Sequence, residues 1–231
     1  MDEGAISPTG MLQETLYTGA EVLLYRTWQL NGELIQYTIA GSGNNTYHRY
    51  VVENSVGASA WSNLYKQAAN ADHMRQLAIR KEDPNYEAIA LTLRTLFLQN
   101  IADLFGDVPC SEAFKGPSEN IKQPVFDTQE QVYRSLLADL ERANSLYDNS
   151  VTLSSATRDL LYKGDLTKWR KFNNSLYLRL LMRLSNRNAA VGVAAKIAEV
   201  FNNPDKYPVF TGNEDNAETV SYTHLTLPTN S

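Results

Sequence analysis

A single cysteine, Cys110, stands in the 231-residue chain, so no disulfide can form within it, and the residue reads as a small buried hydrophobe after Pro109. Histidine is scarce too. His48, His73 and His224 are isolated from one another, so the paired imidazoles of a helix-borne zinc site are missing and neither a metal nor a cofactor is predicted. Basic residues are in the minority, 21 Lys and Arg against 26 Asp and Glu, and the arginines fall in helical stretches among acidic neighbours. That balance lacks the basic stripe a phosphate backbone requires, so nucleic acid is not an expected partner. No apolar run approaches the ~20 residues needed to span a bilayer. Glycine forms no phosphate cradle, since Gly41-Ser-Gly43 follows no convincing strand and lacks the downstream lysine, and no nucleophile elbow occurs. Asp103 and Asp107 remain as acid and base candidates, but carboxylates in a loop at a helix end far more often cap or face water. No catalytic residue is therefore predicted, and the chain is read as a binding protein rather than an enzyme.

What is present is helical periodicity. With 43% hydrophobic residues, the chain has ample apolar content for the core of one large domain or part of one. Leu12, Leu16, Ala20, Leu23, Leu24 and Trp28 form a first stripe, predicting a helix from about Thr9 to about Leu30, with Ser7-Pro8 before it and Asn31-Gly32 after it. Trp61, Leu64, Tyr65, Ala68, Leu77 and Ala78 mark a second helix, which Asp83-Pro84 ends while opening a third, so the two form an antiparallel hairpin. The third carries Tyr86, Ile89, Leu93, Leu96, Phe97, Ile101 and Leu104 and stops at Phe105-Gly106; so broad an apolar face requires deep burial. Asp127 or Thr128, with Glu130 or Gln131 after it, predicts a capping box at the start of a fourth helix bearing Tyr133, Leu136, Leu137, Leu140, Ala143 and Tyr147. The fifth carries Trp169, Phe172, Leu176, Leu180 and Leu184, widened by Tyr177 and Leu181, with Arg170, Lys171, Arg179 and Arg183 partly opposite. A short sixth holds Val193, Ile197, Val200 and Phe201 and ends before Pro204. The fold class expected is all-α, as stacked helical hairpins, although no clean 34-residue period is visible.

The stretch Asp159-Leu-Leu-Tyr-Lys-Gly-Asp165, leading to Trp169, Asn174-Ser-Leu176, Arg179 and Arg183, resembles the signature of the SusD/RagB-like nutrient-binding lipoproteins of the Bacteroidetes outer membrane. Phe105-Gly-Asp-Val-Pro109 and Phe126-Asp-Thr-Gln-Glu130-Gln-Val-Tyr133 resemble the same family and stand in its order; Cys110 departs from it, where members often carry an aromatic residue. The resemblance spans about residues 12 to 215 and implies the N-terminal part of a fold with a tetratricopeptide-like scaffold and an irregular ligand-binding region. It also implies a function: capture of an oligosaccharide or peptide at the cell surface and its delivery to a SusC-like TonB-dependent outer-membrane transporter. Membrane attachment would be only through a lipid on an N-terminal cysteine. Met1 to Gly10 show no basic start, apolar core or cleavage-site cysteine, so that anchor is absent from this chain. Val220-Ser-Tyr-Thr-His-Leu-Thr-Leu-Pro-Thr-Asn-Ser231 reads as the translation of a common sequencing adapter, so residues 1–219 are expected to be an incomplete helical domain and 220–231 a foreign tail. The alternative is an autonomous helical-repeat adaptor that binds partner proteins.

Two groups of residues are singled out. In the motif, Asp159, Tyr162, Gly164, Asp165, Trp169 and Asn174 are expected to hold structure: Asp165 stands where a carboxylate caps a helix, Gly164 suits a positive φ, and Trp169 is an apolar anchor. In the connector Tyr37 to Tyr50, Asn44, Asn45, Tyr47 and Tyr50 are the ligand-binding candidates. Aromatic rings stack on sugars or peptide side chains, amides serve hydroxyls and carbonyls, and long loops on rigid scaffolds often carry function. The competing role for Tyr47 and Tyr50 is to tuck the loop onto the helices.

Overall fold

The computed structural model describes residues 7–26, 31–39, 47–53, 55–187 and 192–218. Among these, α-helices do nearly all the work and no strand forms; Val108 and Asp127 make one isolated antiparallel bridge. The long helices are α1 (Pro8–Arg26), α2 (Ala58–Arg80), α3 (Pro84–Phe105), α4 (Gln129–Leu146), α5 (Leu166–Arg183) and α6 (Val193–Asn202). Each packs chiefly on its neighbour in sequence, which makes two hairpins, α2 with α3 and α4 with α5, stacked through α3 against α4, while α1 lies on α2 and α6 on α5. The expected all-α stack of helical hairpins is what forms.

Local chemistry sets the helix ends. Asp83 accepts the amide of Tyr86 at 3.1 Å with Pro84 in the first turn of α3, and Gly106 (φ 79°) closes that helix. Thr128 and Gln131 complete the capping box of α4: the hydroxyl accepts the Gln131 amide at 3.3 Å, and Gln131 Oε1 accepts the Thr128 amide at 2.8 Å.

α3 is the core. Ala88 to Leu93 are all buried, so this helix has no solvent face along its middle. It consequently reaches a mean hydropathy of 1.3, long and apolar enough by composition to cross a membrane, which the sequence reading did not anticipate. Two-thirds of that window (67%) lies inside the bundle, the place of a core helix. Polar ties cross the stack where α3 meets its neighbours. The Thr92 hydroxyl lies 2.9 Å from Asn173 Oδ1 and 3.0 Å from the Tyr147 hydroxyl, and Arg94 bridges Asp72 of α2 and Asp139 of α4. Partnered in this way, buried polar groups do not carry their desolvation cost unrelieved.

Two expectations of burial differ, and one helix end lies outside the described residues. α1 is described only to Arg26, and Trp28 and Leu30 lie outside the described residues. Leu24, placed in the apolar stripe, is 69% exposed, and Leu104, placed on the buried face of α3, is 55% exposed. Periodicity identified the right face in both cases. Each residue sits near a helix end and lines a cavity there.

Candidate functional site

The turn before α5 is built around Asp159, which is fully buried. Its Oδ1 accepts the amides of Leu161 (3.0 Å) and Tyr162 (3.2 Å), and its Oδ2 accepts the amide of Gly164 (2.9 Å) and the indole N–H of Trp169 (2.8 Å). Four donors on one carboxylate satisfy a charge that would otherwise be costly to bury. Gly164 takes φ 86°, and a Cβ there would meet that of Ala156 at 2.5 Å, so only glycine fits. Asp165 caps α5 by accepting the Lys168 amide at 3.1 Å. Tyr162 packs edge-on to Trp169 and donates to the carbonyl of Asp215, while Asn174 Nδ2 reaches Asn144 Oδ1 (3.0 Å) and the carbonyl of Pro208 (3.1 Å). Lys171 grips the Asp215 carboxylate at 2.9 Å and, with the Thr211 amide, holds it below the usual carboxylate range. Burial and the carboxylates of Asp215 and Asp159 push the Tyr162 phenol up. Asp159, Gly164, Asp165 and Trp169 thus build the turn and the start of α5, while Tyr162 and Asn174 tie them to the segment around Pro208 and Asp215.

The connector behaves oppositely. Just before it stands a helical turn at Gly32–Leu34, whose Gly32 carbonyl accepts the amides of Tyr37 and Thr38, and within it a 3₁₀ turn at Tyr47–Arg49. Gln36 Nε2 donates to the carbonyl of His48 at 3.3 Å and ties the two together. Tyr37 is 87% exposed and Tyr50 63%, with Ile35, Ile39, Val51 and Val52 also exposed around them. Large apolar side chains exposed close together in sequence differ from apolar residues scattered singly over a surface. Tyr50 adopts φ 59°, a left-handed conformation uncommon for a tyrosine. It does not tuck the loop against the helices, whereas Tyr47 is half-buried and engaged. Asn44 and Asn45 lie outside the described residues. Sequence reasoning passed over Ile35, Val51 and Val52, whose signal was apolar residues flanking a turn outside any helical period.

A cavity of about 640 Å³ opens where the end of α3, the start of α4 and the end of α5 meet, lined by Asp103, Asp107, Gln129, Tyr133, Arg183 and Arg187 among others. Its two aspartates are occupied structurally. Asp107 accepts the Gln129 amide at 2.8 Å, and Asp103 pairs with Arg183 at 2.7 Å while accepting from Tyr133 and Gln99. Burial, reinforced by the hydrogen bond to Asp103, pushes the Tyr133 phenol up to about 12. Arg183 is raised by its bonds to Tyr133 and Asp103. Each carboxylate serves an N-terminal cap or an ion pair rather than standing as an acid–base pair.

The fold matches solved structures closely. A SusD homologue from Bacteroides fragilis is 25% identical with a TM-score of 0.71, over 92% of this chain and 43% of that one. A chitin-binding protein is 25% identical with a TM-score of 0.73 (91% and 45%). A chitin-binding SusD homologue from Flavobacterium johnsoniae is 23% identical with a TM-score of 0.74 (93% and 46%). The chain thus spans less than half the length of these relatives. Among curated proteins none matches. With the profile of a SusD-like family, described as starch-binding and associating with the outer membrane, matching residues 2–228, the chain belongs to that family.

Proposed function

We propose that this chain captures a glycan at the outer-membrane surface as part of a lipid-anchored protein and presents it to a SusC-like TonB-dependent transporter. The observation that carries the reading is the exposure of large aromatic and aliphatic side chains in and beside the connector, with Tyr37 and Tyr50 at 87% and 63%. Aromatic faces contribute most of their energy by covering the C–H face of a sugar ring, and Asn44 and Asn45 would supply amides to its hydroxyls. The family description and the chitin-binding relatives favour a glycan over a peptide. No chemistry on the ligand is required of the chain.

Calorimetric titration with maltohexaose, chitohexaose and a mixed peptide pool tests this. One of the glycans should bind, and Tyr37→Ala with Tyr50→Ala should weaken it about tenfold, since each aromatic contact is worth roughly 0.5–1.5 kcal/mol. Binding of the peptides alone, or glycan affinity unmoved by the tyrosine changes, would overturn the reading. Delivery is tested by co-purification with a SusC-like transporter; failure to co-purify from detergent-solubilised membranes counts against it.

A further inference from the structure

The two turns at the ends of the connector hold polar groups that its exposed tyrosines do not use. Among the described residues, Oε2 of Glu33, Oγ1 of Thr38 and Nδ1 of His48 are buried side-chain atoms without a hydrogen-bond partner. Glu33 belongs to the turn Gly32–Leu34 and His48 to the 3₁₀ turn Tyr47–Arg49. These turns pack on each other, and Gln36 Nε2 ties them by donating to the His48 carbonyl at 3.3 Å. Thr38 folds back onto the first of them. Its amide is accepted by the Gly32 carbonyl at 3.0 Å, and a Cβ on Gly32 would stand 2.8 Å from its hydroxyl oxygen, so that oxygen lies against the residue just before Glu33.

Buried polar atoms without partners are uncommon in native proteins, and three in one pair of turns call for something that satisfies them together. Their chemistry selects it. A carboxylate oxygen, a hydroxyl oxygen and an imidazole nitrogen in its acceptor tautomer all offer lone pairs, which a cation takes at once. A buried carboxylate also needs a compensating charge, and among the described residues no lysine or arginine pairs with Glu33. The nitrogen narrows the choice of cation. Calcium and magnesium are bound through oxygen, whereas zinc and its first-row neighbours take imidazole together with carboxylate. The backbone adds a second observation. Each turn is followed by a left-handed residue other than glycine, Gln36 at φ 57° and Tyr50 at φ 59°, and such conformations persist where the surroundings over-determine them. A cation bridging the turns supplies that constraint.

We propose that Glu33 Oε2, Thr38 Oγ1 and His48 Nδ1 bind one zinc-class dication, with water completing its shell, and that this ion clasps the two ends of the connector. The isolation of His48 in the sequence concealed the site, because its carboxylate and hydroxyl come from the opposite end of the connector. The inference does not depend on which ligand Tyr37 and Tyr50 meet.

The test titrates the 231-residue chain, first stripped with a chelator, with zinc chloride in a calorimeter, and repeats the titration with calcium and magnesium chloride. Zinc should bind one to one and at least about tenfold more tightly than either of the others, as the imidazole donor requires. His48→Ala and Glu33→Gln should each weaken zinc binding on the order of a hundredfold, since even an outer partner of a ligand is worth about 10–100-fold. Thr38→Val should cost less than either, and His73→Ala, on the exposed side of α2, should change nothing. The melting temperature of the parent chain, read with and without zinc, keeps the inference testable where a variant fails to fold: saturating zinc should raise it, and should not raise that of Glu33→Gln. A melting temperature unmoved by zinc, zinc binding undiminished by His48→Ala or Glu33→Gln, or calcium bound as tightly as zinc would overturn the inference.

Discussion

The Asp159 turn and the connector face opposite ways, and the contrast separates what makes this fold from what it presents. In the turn, a buried carboxylate takes four donors, a glycine occupies a left-handed position, and Trp169 is completely covered. In and beside the connector, two tyrosines and four aliphatic side chains stand in water, and Tyr50 carries backbone strain. The residues that name the family are thus the inward ones. The motif serves packing, whereas on the proposed reading the ligand is met by exposed side chains with no packing duty.

The largest effect that would break this comparison is expected at Asp159. Replacing it with Ala strands the indole N–H of Trp169 and three amides in a buried turn, and should cost about 3–5 kcal/mol, read from urea denaturation. A loss under about 1 kcal/mol would mean that water already serves these donors. Gly164→Ala follows, at about 2–3 kcal/mol, from the positive φ and the 2.5 Å approach of Ala156.

Alkaline pH probes the same interior. Tyr133 is pushed up to about 12 in the folded chain from an ordinary 10.0, so the unfolded chain loses that proton first. Its contribution is fully present below pH 10.0 and is lost as pH rises through about 12, so the melting temperature should fall across that window. Tyr133→Phe, which has no phenol to titrate, should lessen that fall, and an unchanged fall across the window would contradict this. Thr128→Ala, which removes the capping box of α4, should cost about 1 kcal/mol by the same denaturation assay. At the connector the effect on stability should be smallest and reversed in sign: Tyr50→Gly relieves the left-handed strain and should stabilise by about 0.5 kcal/mol or leave stability unchanged.

The sequence revealed most where the determinants are local. The Thr128–Gln131 box, the Asp83–Pro84 start and the Gly106 stop each depend on residues within one turn, and the helices they bound were recoverable from spacing. Asp165 as a cap and Gly164 as a positive-φ position follow from the same kind of argument. Asp159 was visible as part of a motif, but its role depends on an indole ten residues away folding back onto it. The contacts of Thr92 with Asn173 and Tyr147 lie 81 and 55 residues apart and leave no local trace. Leu24 and Leu104 came out exposed because a stripe gives a face and not how completely that face is covered near a helix end. Exposure of Tyr50 and Phe126 could not be read at all, since an aromatic residue in a connector is equally an anchor or a platform until its neighbours are known.

The most direct test sets one residue from each region side by side. The glycan that the chain binds is titrated into Asp165→Ala and into the Tyr37→Ala, Tyr50→Ala double variant, with melting temperature measured on the same samples. The account requires Asp165→Ala to lose about 1 kcal/mol of stability with its affinity unchanged, and the double variant to lose about tenfold in affinity with its melting temperature unchanged. Affinity lost at Asp165 in a protein that remains folded, with the tyrosines inert, would place the ligand at the motif and contradict it.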